Sequence, residues 1–268
     1  EFYPRYFDGF YAFGGNFAWM GLHLWYLEFL FIFSLMTLPL FLYLRRETIH
    51  SLIPKLASFF KRSGAIFLFA VPLIIVELLV NLQPDGFGRR DMGGWSIVIY
   101  PIFFIHGYLI GSDPQFKKTI EKHKVIALIM GVITSVLLLS AGYMPSFRRF
   151  LGSTGGYVLV GILRPFSSWC FLIAILGFGG KYLSFNNKVL KYANEAVLPF
   201  YILHQSVIVT IGFYIASWNA SLLLKYLVIS ISSFVAIVIL YELVVRRINL
   251  FRFLLGMKAK RKGLAEVK

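Results

Sequence analysis

The chain has 268 residues, 58% of them hydrophobic, and its 27 Lys and Arg against 12 Asp and Glu give a formal charge of +15. A soluble domain needs a polar shell and could not carry so apolar a surface, whereas lipid-facing side chains should be apolar; the mean hydropathy is +0.74. Backbone groups in hydrocarbon must pair within their own segment, so long apolar runs there have to be helices, and the chain reads as an all-α, polytopic transmembrane helix bundle.

About 20 apolar residues cross the hydrocarbon, which predicts about seven spans near 22–44, 64–82, 95–111, 125–143, 157–178, 197–218 and 222–245. The first opens with His23, Trp25, Tyr26 and Glu28. His23 and Glu28 stand about 140° apart on a helix and do not share a face. Trp25 and Tyr26 suit an aromatic belt, and His23 reads equally well as a wet interfacial residue.

The second span carries Glu77 and Asn81 stacked at i, i+4, with Pro72 expected to bend the helix and free a carbonyl. Glu77 is either a cavity-lining group or a structural hydrogen-bonding partner of another helix. The third span is the shortest; His106 lies in it, and Gly107 and Gly111 have the spacing that permits close helix packing. The fifth carries Arg164-Pro165, with Ser167 and Ser168 continuing the Arg164 face. An arginine cannot shed its charge cheaply, so Arg164 needs an acidic partner, water or an anionic substrate. Glu28 and Glu77 are expected at similar depth, as a structural ion pair or as walls of a polar pocket open to the outside.

The sixth span holds Leu198-Pro199-Phe200-Tyr201-Ile202-Leu203-His204-Gln205, in which Tyr201 and His204 are roughly co-facial. His204 is either a neutral, structurally bonded ring or part of a site. Glu242 and Arg246, by the inner end of the last span, read as an ordinary i, i+4 pair.

The Lys and Arg residues sort by loop. One alternating set holds Arg45, Arg46, Lys55, Lys61 and Arg62, then Lys117, Lys118, Lys122 and Lys124, then Lys181, Lys188 and Lys191, and a basic tail from Arg246 to Lys268. The other loops hold Arg5, Arg89, Arg90, Arg148 and Arg149. The positive-inside rule puts the first set in the cytoplasm, the N-terminus of this chain outside and the C-terminus inside. The positive charge therefore reads as topology and attraction to anionic lipid, with no nucleic-acid partner; an anionic cytoplasmic ligand is the sharper reading. The lone Cys170 gives no disulfide framework, and the dispersed histidines form no metal-ligand cluster. No phosphate-binding glycine loop, nucleophile elbow or internal repeat is present, so a single membrane domain over 1–268 is expected.

His23-Leu24-Trp25-Tyr26-Leu27-Glu28-Phe29-Leu30 resembles the "HLWFLxxL" segment of the acyltransferase 3 family. Gly107-Tyr108-Leu109-Ile110-Gly111-Ser112-Asp113-Pro114-Gln115-Phe116 resembles an inner-loop segment that follows a later span, and Leu198 to Ser206 is similar to the family's "PFYxLHQ" signature. The three occur in the family's order over nearly the whole chain, and the nearest branch is that of glucan biosynthesis protein C, similar to succinyl transferases acting on periplasmic glucans.

The resemblance implies an integral membrane O-acyltransferase, in a bacterial inner membrane, that takes an acyl group from cytoplasmic acyl-CoA and places it on an extracytoplasmic carbohydrate hydroxyl. Acyl-CoA would be a co-substrate, with no bound cofactor and no metal. The family's proposed catalytic histidine lies in its first span behind a basic residue, a segment that nothing here matches. About three early spans, and that histidine, are thus expected upstream of Glu1. Among the residues present, His23, Glu28, Glu77, Arg164, Tyr201 and His204 are candidates to line a pocket, and Lys117 and Lys118 to contact CoA phosphates. A transporter or flippase for a polar or lipid-linked substrate is the alternative, because polar residues near both faces also suit alternating access.

Overall fold

The structure is a computed structural model that describes residues 24–46, 51–81, 96–143, 149–150 and 153–258. Among these residues the regular elements are helical, with no β-strand. In chain order they are α1 (Trp25–Leu44), α2 (Leu52–Phe60), a 3-10 turn (Ala65–Phe69) leading into α3 (Ala70–Asn81), α4 (Ile99–Ser112) and α5 (Pro114–Tyr143). They continue with α6 (Thr154–Tyr182), α7 (Lys188–Ala216), α8 (Leu222–Leu240), a π-helical turn (Tyr241–Val245) and α9 (Asn249–Leu254).

Sequence chemistry accounts for the breaks. Asp113 is extended, and its carboxylate accepts the Gln115 amide at 2.7 Å; Pro114 then opens α5 at the one position where a missing N–H costs nothing. Ser153, Asn187 and Ser221 cap α6, α7 and α8 through side-chain oxygens that accept from Gly156, Leu190 and Leu224. At the other end of α7, Lys225 Nζ donates to the Ala216 carbonyl at 2.7 Å, a cation at a helix C-terminus.

Among the described residues, five helices are long and apolar enough to cross a membrane, or six if the bent pair Leu52–Phe60 and Ala65–Val80 counts as one span. That differs from the seven expected. The third expected span is the fourteen-residue α4, about 21 Å long at 1.5 Å per residue, against ~30 Å of hydrocarbon. The second is preceded by a 119° turn at Gly64, whose φ of 77° suits a residue without Cβ. The bend therefore sits at Gly64 and not at Pro72, which lies in the first turn of α3, where a proline is tolerated. The fourth span reaches back through the basic stretch 114–124, so Lys117, Lys118, Lys122 and Lys124 belong to α5 and not to a loop.

Two compact units divide the chain, 1–185 and 186–268. In the first, α5 and α6 pack along one another and α3 packs on α6. The core gathers Ile66, Phe69, Leu73, Ile99, Phe116, Trp169 and Ile173. Trp169 is fully buried and donates its indole N–H to the Ile66 carbonyl at 2.9 Å, which ties α6 to the turn entering α3. Gly177 sets the closest approach: a Cβ there would lie 2.5 Å from Lys124 Cβ and 3.1 Å from the Ile120 carbonyl. Gly107 and Gly111, expected to do this, have nothing within 4 Å of the corresponding position. In the second unit α7 packs on α8 and the π-helical turn, around Ala196, Tyr241, Val245, Leu255 and Met257.

Candidate functional site

Arg164 lies one residue before Pro165 in α6, and Glu77 lies in α3, which packs on α6. Arg164 Nη1 stands 3.9 Å from Glu77 Oε1. The carboxylate side chain is 1% exposed and the arginine 28%. A charge so buried is tolerable only when an opposite charge neutralises it, so of the two acids expected at this depth Glu77 takes that role. Glu28 is half-buried in the first turn of α1. The serines expected on the Arg164 face part company. Ser167 hydrogen-bonds Ser135 of α5 at 2.9 Å and the Gly131 carbonyl at 3.3 Å, while Ser168 donates to the Arg164 carbonyl of its own helix. The result in this unit is a polar seam inside apolar helices, with a guanidinium reaching partial exposure.

Three histidines fall among the described residues, and their surroundings differ. His123 Nδ1 bonds the Thr119 carbonyl at 2.8 Å, and its Nε2 accepts the Gly64 N–H at 3.3 Å. Both nitrogens are thus committed, Nδ1 within α5 and Nε2 to the α2–α3 turn. His106 is buried edge-on to Phe69 and Trp169, and its Nδ1 has no hydrogen-bond partner among the described residues. His204, half-buried in α7, bonds the Tyr201 carbonyl through Nδ1 at 2.6 Å. A carbonyl can only accept, so Nδ1 carries the proton and Nε2 is the basic nitrogen of the neutral ring. The Tyr201 and His204 rings lie 5.6 Å apart, co-facial as the three-residue spacing implies.

At the α5 N-terminus Lys117 and Lys118 are exposed, and Lys117 passes alongside Gly180 of α6. Lys124, grouped with them by sequence, is instead buried, its ammonium 5.6 Å from the Phe178 ring centroid, 5.8 Å from that of Tyr182 and 3.8 Å from Glu121. Lys117 and Lys124, seven residues apart, share a helix face, so their spacing carried no signal that one would be exposed and the other buried. His23 lies outside the described residues, as does the side chain of Asn81.

A family model described as an acyltransferase domain, acyltransferase 3, matches residues 2–242. No curated protein and no solved structure matches the chain.

Proposed function

The chain belongs to the acyltransferase 3 family and is a membrane acyltransferase; on that premise we propose that it moves an acyl group from cytoplasmic acyl-CoA to an extracytoplasmic carbohydrate hydroxyl. The observation that supports it among the described residues is the His204 ring, a pocket-lining candidate to which we assign the base role in place of the first-span histidine that the resemblance implies. It sits in the segment from Pro199 to Gln205 that bears the family resemblance, and its bond to the Tyr201 carbonyl selects the neutral tautomer in which Nε2 is the basic nitrogen, the form a general base requires. Among the described histidines it is the one that is partly exposed, whereas His106 and His123 are buried.

The acceptor oxygen forms a C–O bond to the thioester carbonyl carbon as its proton passes to His204 Nε2. A tetrahedral oxyanion develops, for which the Tyr201 hydroxyl is the candidate donor. The C–S bond then breaks, and the departing thiolate takes the proton from His204. Lys117 and Lys118 stand at the positive end of the α5 dipole, where two cations repel the helix end unless an anion joins them. That arrangement supports a role in holding CoA phosphates. Glu28, Glu77 and Arg164 would line the acceptor side, and a succinyl group with a glucan acceptor is the first pair to test.

The test is transfer from labelled acyl-CoA to carbohydrate by the full-length protein in proteoliposomes. His204→Gln abolishes labelling while the purified variant remains folded. Transfer that proceeds without acyl-CoA, or that survives His204→Gln, overturns the donor or the base respectively.

A further inference from the structure

The six-residue helix α9 is inside out. Its one charged residue, Arg252, is buried at 6% exposure, whereas Ile248, Leu250, Phe251, Phe253 and Leu254 are exposed, Phe253 at 76%. The inward turn of Arg252 is enforced. Its Nε donates to the Lys258 carbonyl at 2.8 Å, one Nη to the Arg246 carbonyl at 3.4 Å, and the other to Glu195 of α7 at 3.1 Å. One guanidinium therefore staples both ends of segment 246–258 to each other and to α7. Gly256 locks the return of the chain: its φ is +72°, and a Cβ there would lie 2.6 Å from Leu198 Cδ2. The apolar face is held outward by this clamp.

Its position says what covers it. The segment follows directly on the last membrane-crossing stretch, Leu222–Val245. At 1.5 Å per residue α9 is about 9 Å long and cannot cross anything itself. A segment that follows so closely on a stretch long enough to cross falls where hydrocarbon gives way to headgroups. The charge around it is one-sided as well. Of the two carboxylates among the unit's described residues, Glu195 is taken by Arg252 and Glu242 by Arg246 at 3.1 Å. The Glu242 hydrogen bond also pushes the Arg246 guanidinium above its ordinary range. Lys188, Lys191, Arg247 and Lys258 are exposed at this end, and no further carboxylate stands among the unit's described residues. The sequence adds Lys260, Arg261 and Lys262 beyond. Apolar and aromatic side chains facing out together with exposed cations are the requirements for an interfacial helix on an anionic lipid surface.

We infer that α9, clamped by Arg252, is a membrane-interface anchor whose aromatic face enters the headgroup–acyl boundary while Lys188, Lys191, Arg247 and Lys258 bind anionic phospholipid headgroups. This reading is independent of the acyl-transfer chemistry.

The full-length protein is reconstituted in vesicles of phosphatidylcholine with or without phosphatidylglycerol. In a background free of reactive cysteine, Phe253→Cys, and in a second variant Leu250→Cys, carries an environment-sensitive fluorophore. Nitroxides at the lipid headgroup and shallow acyl positions quench both labels several-fold more than a deep-chain nitroxide, and aqueous iodide quenches them less than a label at Asn186→Cys, an exposed position in the loop before α7. Phosphatidylglycerol increases the shallow quenching, and Arg247→Gln with Lys258→Gln removes that increase. Arg252→Gln releases the helix and raises iodide access at both labels. Iodide access equal to that at position 186, quenching by the deep nitroxide alone, crosslinking of position 253 to a second copy, or indifference to phosphatidylglycerol each overturns the proposal.

Discussion

Arg164 and Glu77 meet across α6 and α3 with 3.9 Å between Nη1 and Oε1, the carboxylate sealed and the guanidinium partly open. A pair so placed serves two ends. It neutralises a charge that hydrocarbon would otherwise exclude, and it leaves an undischargeable cation at the edge of a polar seam where an acceptor could bind.

The stability side of this relationship has a definite signature. Arg164→Ala leaves the Glu77 carboxylate buried without its counter-charge and costs about 3–5 kcal/mol, read as a lower midpoint in denaturant titration of the purified protein. Glu77→Leu together with Arg164→Met removes both charges and recovers most of that loss. If the double variant is folded and still transfers acyl groups at the original rate, the pair is structural only.

Trp169 offers a sharper structural test. Trp169→Phe keeps an aromatic ring against Phe69 but withdraws the indole N–H from the Ile66 carbonyl, leaving a buried acceptor unpaired at about 1–3 kcal/mol. Hydrogen exchange should accelerate over 64–70, the turn that this bond holds, and remain unchanged over 222–245.

Gly177 marks the place where α5 and α6 come closest. Gly177→Val forces its new side chain onto Lys124 and the Ile120 carbonyl, an overpacking cost of about 1–3 kcal/mol. Gly107→Val, at an exposed position with open space around it, should change the midpoint by less than about 0.5 kcal/mol. Equal effects at the two sites would show that the assigned helix contact is wrong.

Replacing Lys117 and Lys118 with Gln should raise the KM for acyl-CoA while leaving kcat within a factor of about two, as expected when a group binds ground state and transition state alike. The difference from the unaltered protein shrinks as salt rises, because exposed charges are screened over about 8–10 Å at physiological ionic strength and less beyond it.

Cysteine-accessibility mapping tests the orientation. Labels at Lys117→Cys and Lys258→Cys should react with a membrane-impermeant reagent from the same side, and a label at Arg149→Cys from the opposite one. Lys117 and Lys258 reacting from opposite sides would overturn the charge-based topology.

The amino-acid sequence by itself determined the class and most of the helices. Apolar length is a local property, and the polar stops that flank it are local too. The last span expected at 222–245 and the stretch crossing in the structure, Leu222–Val245, coincide for that reason, as do the Ser and Asn caps. The i, i+4 pair of Glu242 and Arg246 was legible because both residues ride one helix. Direction was not legible. Helices that are apolar nearly all round carry no stripe to say which side faces lipid and which faces protein. Only packing decided that Arg164 takes Glu77, that Lys124 turns in beneath Phe178 and Tyr182 while Lys117 stays out, and that Arg252, one basic residue among several in its stretch, becomes a buried clamp. The same holds for the histidines. Their residue type is identical, and the carbonyls, amides and rings that separate their roles come from backbone geometry and from neighbouring helices, which no single segment encodes.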